Sequence, residues 1–270
     1  MAEKYLDYEE KWFQTEAGFK EELEKVCGKN WGVGSEVGKL ESVLLRRPGK
    51  EVEGVTDPEK WRWESEVDPD KMRAQHDALA EVYKENGADV YYVEESRRDR
   101  PNALFLRDLV FMTPEGAILG RPAIEARSGE QEAVARTLAQ LGVPILNTVH
   151  GQGVFEGACA MWVDETTVLL GEGVRANREG LDQVKHTLET VGVTDFINYH
   201  IPFGHAHIDG IINFVDKQKA VMFPWQTSYN VWKALTDKGY KVIEAPSIDE
   251  VKMNFATNVV ALEPGKVVMP

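Results

Sequence analysis

The chain has 270 residues, and 31 Lys and Arg against 45 Asp and Glu leave a formal charge of −14. A hydrophobic content of 43% with 28% charged residues excludes bulk disorder, no apolar run reaches the roughly 18–20 residues of a membrane helix, and the acidic balance disfavours nucleic acid and anionic membrane. Cys27 and Cys159 are too few for a disulfide framework, and the start MAEKYLDYEEKWF lacks an apolar signal core, so a cytoplasmic protein is expected.

Residues 1–36 read as a helical extension. Tyr5–Val26 sets Trp12, Phe13, Phe19 and Leu23 among Glu and Lys, an amphipathic pattern suited to packing on the body or on a second subunit. From residue 37 onward the sequence repeats. A weak hairpin is expected over 37–47, followed by a long connection over 48–67 that carries Trp61 and Trp63. Four clearer hairpins follow about every 50 residues: Leu109–Gly120, Ala160–Gly171, Ile212–Phe223 and Val259–Pro270. Helical spacing covers 70–86, 128–141, 178–191 and 228–238, with Asp68, Ser128, Asn177 and Ser228 as N-caps. Gly87, Gly142, Gly192 and Gly239 stand at the stops, and a short strand follows each of them. The unit is ββαβ. Such units bury their faces only by stacking or by closing in a ring. The expected fold is therefore α/β, a five-bladed β/α-propeller with pseudo-fivefold symmetry over 37–270, its fifth unit ending after the hairpin at Pro270.

Polar residues gather just before the first strand of each unit. Asp108, Glu156, His207, Asp209, Asn254 and Asn258 fall at equivalent places, so the repeat brings them toward one mouth. Acids and a histidine in apolar surroundings are costly unless used or paired. Asp108 and Asp209 suit a planar cation, since carboxylates bind guanidinium in a two-point geometry. His207 suits proton movement near neutral pH, with Glu156 to orient it. If 205–209 is a strand, His205, His207 and Asp209 share a face and could hold Zn²⁺, a weaker reading because no unit offers a fourth ligand. Cys159 is either a nucleophile near His207 or, the favoured reading, a small buried thiol.

These residues resemble motifs of the guanidino-modifying pentein superfamily, which includes arginine deiminases, dimethylarginine dimethylaminohydrolases and amidinotransferases. Pro101–Asp108 (PNALFLRD) is similar to PNxxFxRD, Ala126-Arg127 with Glu130 to the arginine motif after the second hairpin, and Phe155–Ala158 to the EGG(D) motif. Gly171–Arg175 (GEGVR) is similar to a further arginine segment, and His207-Ile208-Asp209 to the HxD pair. The resemblance implies that Asp108 and Asp209 bind the guanidinium and Asn102 the amino-acid end. Arg127 and Arg175 would take the carboxylate, with His207 as acid/base supported by Glu156. It implies no metal and no cofactor.

Two departures stand out. Cys159 replaces the Asp that ends EGG(D), and neither cysteine matches the family nucleophile near the end of the fifth blade. The expected activity is hydrolysis of a C–N bond in arginine or a related guanidino amino acid through a Cys-linked amidino intermediate. Amidino transfer to an amine, or guanidino binding without turnover, are the alternatives. The expected partner is a small guanidino amino acid, with the N-terminal helix suited to a homo-oligomer contact.

Overall fold

The computed structural model describes residues 16–94 and 99–270. Trp12 and Phe13, and the first half of the expected N-terminal helix, lie outside the described residues. The helix that is described, α1 (Phe19–Cys27), buries Leu23 and stops at Gly28 in the left-handed region. The chain after it is stitched to the body, with the Val33 amide donating to the Thr113 carbonyl at 2.9 Å.

The body is α/β. Its repeat is visible in three sheets that share one order, an antiparallel hairpin whose second strand pairs in parallel with a strand reached through a helix. The first comprises β3 (Val110–Thr113), β4 (Gly116–Leu119), α3 (Gln131–Leu141) and β5 (Ile145–Thr148). The second comprises β6 (Ala160–Asp164), β7 (Thr167–Glu172), α4 (Arg178–Thr190) and β8 (Asp195–His200). The third comprises β9 (Ile212–Asp216), β10 (Lys219–Met222), α5 (Tyr229–Asp237) and β11 (Lys241–Glu244). All four expected glycine stops have positive φ, the backbone region that glycine enters without a Cβ clash.

The ends of the described chain differ from this pattern. β1 (Ser42–Leu45) pairs in parallel with β2 (Asp89–Tyr92) across α2 (Pro69–Glu85), so the hairpin expected over 37–47 does not form. Its first half, VGKL, holds a Gly and a Lys and no β-branched alternation, and Leu40 instead donates its amide to the Leu262 carbonyl at 2.8 Å. A short helix, α6 (Ile248–Lys252), precedes the antiparallel pair β12 (Val260–Glu263) and β13 (Lys266–Val268). Ser247 caps α6 by accepting from the Glu250 amide, a short-range signal that five residues without a periodic apolar face do not announce.

Two of the expected N-caps act as such. Asp68 accepts from the Asp70 and Lys71 amides, and Asn177 from Gly180. Ser128 does not, because α3 starts three residues later and Ser128 closes the 3-10 turn Glu125–Arg127. Ser228 precedes α5 but turns its hydroxyl to Asn230. The largest core cluster joins the second and third ββαβ units, and Phe111 stacks on Trp162 across the first and second at 5.7 Å. None of the helices among the described residues is long and apolar enough to cross a membrane.

Candidate active site

Three turns build the site. The 3-10 turns Leu106–Asp108 and Gly157–Cys159 lie immediately before β3 and β6, and the turn holding His207 and Asp209 precedes β9. They lock together by backbone contact: the Ile208 amide donates to the Ala158 carbonyl at 3.2 Å. A Cβ built on Gly157 would stand 2.5 Å from the carbonyl oxygens of Arg107 and Val110, so only glycine lets the first two turns meet. Phe155 bridges to both Arg121 and Ala176, and the Glu156 amide donates to the Arg175 carbonyl at 3.1 Å. That stitching fixes where the Glu156 side chain enters.

Glu156 is the hub, with no exposed side-chain surface. Its Oε1 accepts from the Ala123 amide at 3.0 Å and from Arg175 Nη1 at 3.1 Å, while Oε2 lies 2.7 Å from His207 Nε2. Burial alone would push this carboxyl up, but His207, Arg175 and the Ala123 amide outweigh it and hold Glu156 at about 2. His207 feels the reciprocal effect. Burial works against its charge, yet Glu156, Asp108 and Asp209 raise its pKa above the ordinary value. Its Nε2 lies 2.7 Å from Glu156 Oε2, and its Nδ1 faces Asp108 Oδ1, 3.7 Å away.

Arg127 is buried and its donors are committed inside the protein. Nε donates to Glu130 at 2.8 Å, Nη1 to Asp108, and Nη2 to the carbonyls of Asn102 (3.3 Å) and Phe105 (3.2 Å). Nη1 also lies 3.8 Å from Glu156. Burial raises the Glu130 carboxyl to about 7 despite the Arg127 pair, and its Oε1 has no hydrogen-bond partner. Asn102 is spent too. Its Oδ1 accepts from Trp63 Nε1 at 2.6 Å and its Nδ2 donates to the Trp61 carbonyl at 2.9 Å, so it clasps the long connection over 48–67. Asn102→Ala leaves the Trp63 indole N–H and the Trp61 carbonyl without these partners. A loss of about 1–3 kcal/mol in urea unfolding is expected, together with easier acrylamide quenching of tryptophan fluorescence.

Asp209 makes no ion pair among the described residues. Burial raises its pKa, and the nearby Asp108 and Glu36 add to that, against opposing effects of His207 and Arg107. Cys159 is fully buried, and burial with the charges of Glu156, Asp209 and Asp108 pushes its thiol well up. A thiol so held is inert as a nucleophile. Cys27 closes α1, its carbonyl against Gly142 at the end of α3.

The zinc reading fails on geometry. Residues 205–209 form bends and turns, so alternate side chains do not share a face. His205 Nε2 meets Gln226 Oε1 at 2.5 Å, while His207 faces Glu156. Asp108, Glu156 and His207 do offer ligand atoms within 4.8 Å of one another, but Arg127 and Arg175 already hold those carboxylates, and a dication would meet two fixed guanidinium groups.

Glu130, which accompanies Arg127 in the arginine motif, follows it at i+3 on the way into α3 and pairs with it at 2.8 Å. One contributor escapes motif reading. Glu36 belongs to the N-terminal segment, yet its Oε1 accepts from the Trp162 amide at 3.0 Å and meets Arg107 Nη2 at 3.4 Å. Nothing local in the sequence signals that placement.

The profile of the family described as N,N dimethylarginine dimethylhydrolase, eukaryotic, matches residues 57–269. The chain belongs to the dimethylarginine dimethylaminohydrolase family. This places it within the guanidino-modifying superfamily that its motifs resemble. It is 30% identical over 151 residues to the N(G),N(G)-dimethylarginine dimethylaminohydrolase of Streptomyces coelicolor, covering 55% of this chain and 56% of that one. Identity to the Pseudomonas aeruginosa dimethylarginine dimethylaminohydrolase is 27% over 175 residues, covering 62% of this chain and 66% of that one. The chain therefore matches between about half and two thirds of these relatives' length.

In structure it is similar to the P. aeruginosa enzyme solved with citrulline, with a TM-score of 0.68, 22% identity, and coverage of 86% and 84% of the two chains. The N-terminal domain of a cyanobacterial arginine dihydrolase gives a TM-score of 0.68 at 17% identity, covering 81% and 80%. At these identities the likeness establishes the shared α/β fold.

Proposed function

We propose that the site binds a guanidinium between Asp108 and Asp209 and serves hydrolysis of a C–N bond in arginine or a related guanidino compound. The observation that carries this reading is Asp209: among the described residues it makes no ion pair, while Asp108, Glu130 and Glu156 are each held by an arginine. An arriving guanidinium supplies the missing charge and meets Asp108 Oδ1, the oxygen that Arg127 leaves open.

In the reaction a thiolate attacks the guanidinium carbon and the C–N bond breaks. His207, whose pKa Glu156 raises, gives a proton to the leaving nitrogen. Water then attacks the S-linked amidino carbon while His207 takes back a proton, and the C–S bond breaks to release the ureido product and the thiol. Neither Cys159 nor Cys27 is placed to supply that thiolate. The same fact favours a second reading, guanidino binding without turnover. Transfer to an amine uses the same intermediate with a different acceptor.

We also infer that the five sheets stand as blades around this site, with 37–270 as the catalytic domain and the segment before it as an extension. The convergence of the turns before β3, β6 and β9 supports this arrangement. The functional test is an assay of the protein at its natural length against arginine, N-methylated arginines and other guanidino compounds. Release of ammonia or an alkylamine with a ureido product is expected. Binding without turnover would select the second reading, and product formed only with an added amine such as glycine would select transfer.

A further inference from the structure

We infer that Glu130 is a positioning residue whose own proton sets how firmly the site holds a guanidinium. Ionised, Glu130 shares Arg127 with Asp108, and Asp108 keeps more of its charge for a ligand cation. Protonated, it leaves Arg127 to Asp108. The inference rests on the guanidinium reading above and adds a group that never touches the ligand.

One buried cation serves three acids here. Arg127 donates Nε to Glu130 Oε2 at 2.8 Å and Nη1 to Asp108, and Nη1 also lies 3.8 Å from Glu156. Carboxylates crowded into one site cannot all stay ionised cheaply, and the one with least compensation takes a proton first. Glu156 has Arg175 at 3.1 Å, His207 at 2.7 Å and the Ala123 amide at 3.0 Å besides. Asp108 has His207 Nδ1 at 3.7 Å and a side chain that is 13% exposed. Glu130 has neither a second partner nor solvent. Its side chain has no exposed surface, Arg127 is its one ion pair among the described residues, and Oε1 has no hydrogen-bond partner. A proton on that bare oxygen relieves the crowding.

The groups that face Glu130 decide where that proton leaves. Burial opposes the charged form most, and Asp108, from the turn before β3, opposes it too. Arg127 favours the charged form from its own turn. Arg46, just past β1, favours it as well, although its ion pair is with Glu51 at 3.5 Å. The balance falls at about 7. Above that point Glu130, Arg127 and Asp108 together carry two negative charges to one positive. Below it the charges cancel, and a ligand cation at Asp108 Oδ1 meets a weaker field. Linkage makes the effect mutual, so a cation bound at Asp108 favours ionised Glu130.

The test is calorimetric titration of arginine into the natural-length protein and into Glu130→Gln, from about pH 6 to about pH 8.5. Glutamine keeps an oxygen for Arg127 Nε and cannot ionise. The two proteins are expected to bind equally at the acid end, and the native protein about threefold or more tightly at the alkaline end. His207 and Asp209 shape the pH profile of both proteins, so the difference between the profiles isolates Glu130. A merely structural role would weaken binding by one factor at every pH, and that result, or equal affinity throughout, would overturn the inference. If the glutamine variant does not fold by circular dichroism, carbon-13 NMR of the native protein labelled at glutamate Cδ decides. A glutamate carboxyl titrating near 7 should move its midpoint down by about half a unit or more when arginine saturates the site, the same threefold by linkage. An unmoved midpoint, or no such carboxyl, would overturn the inference. Failure of the native protein to bind arginine at any of these pH values would remove the guanidinium reading itself, and this inference with it.

Discussion

Glu156→Gln is expected to cost roughly 3–5 kcal/mol of stability, because removing one member of a buried charge cluster strands the others. Glu156 touches His207 at 2.7 Å and Arg175 at 3.1 Å and lies 3.8 Å from Arg127, so its loss leaves three cationic groups with less anion to face. The pKa of His207 should fall, since Glu156 is the largest influence raising it against burial. The pH dependence follows from both shifts. Glu156 has a depressed pKa, so its contribution is present above the ordinary value of 4.5 and is lost as pH falls toward about 2. His207 has a raised pKa, so its contribution is complete below 6.5 and is lost as pH rises through the folded value. The gap in unfolding free energy between the native protein and Glu156→Gln should therefore be widest from about pH 4.5 to 6.5 and narrow on both sides. Urea unfolding across pH 3 to 9, with NMR titration of the His207 ring, measures both quantities. A gap that does not vary with pH would mean that the pair carries no linked charge.

Gly157→Ala should be as damaging by a different route. The added methyl would sit 2.5 Å from two carbonyl oxygens and 2.7 Å from the Val110 carbonyl carbon, all of them backbone. No side chain can swing away to make room, so the turns bearing Asp108 and Cys159 must separate. A cost of about 3 kcal/mol or more is expected, at the upper end for overpacking. The Asp108-to-His207 geometry should be lost with it, since Asp108 ends the first of these turns. A variant that unfolds within about 1 kcal/mol of the native protein would show that the turns are not held this closely.

What the sequence made legible follows from the range of the forces involved. Hairpins, helices and glycine stops are local, and the repeat multiplied weak signals into a strong one, so β3 to β11 fall where the pattern places them. The 37–47 hairpin does not form because the residues of that stretch do not alternate, and its second half pairs in parallel with β2 instead. Asp108, Glu156 and His207 could be nominated together because the same turn recurs before β3, β6 and β9, and equivalent places in a repeat converge in space. What each side chain does on arrival was not local. The commitment of Arg127 to Glu130 and Asp108, and of Asn102 to Trp61 and Trp63, depends on which donors and acceptors happen to be buried together. The strand assumed for 205–209 shows the same limit. Gly204 at φ 99° turns the chain just before this segment, 206–209 follow as bends and a turn, and the alternation that would have aligned His205 with His207 disappears.

A guanidinium held against Asp209 beside His207 is central to the proposed activity, and calorimetric titration of arginine into the native protein and Asp209→Asn tests it most directly. Asp209 is the better choice than Asp108, because altering Asp108 would also release Arg127. The affinity of the native protein should fall as pH is lowered, and from a higher pH than an ordinary aspartate would give, since burial raises the pKa of Asp209 and binding needs its charge. Asp209→Asn should bind about tenfold or more weakly at neutral pH and lose that part of the pH dependence. Equal affinity of the two proteins across that range would contradict the assignment of the cradle.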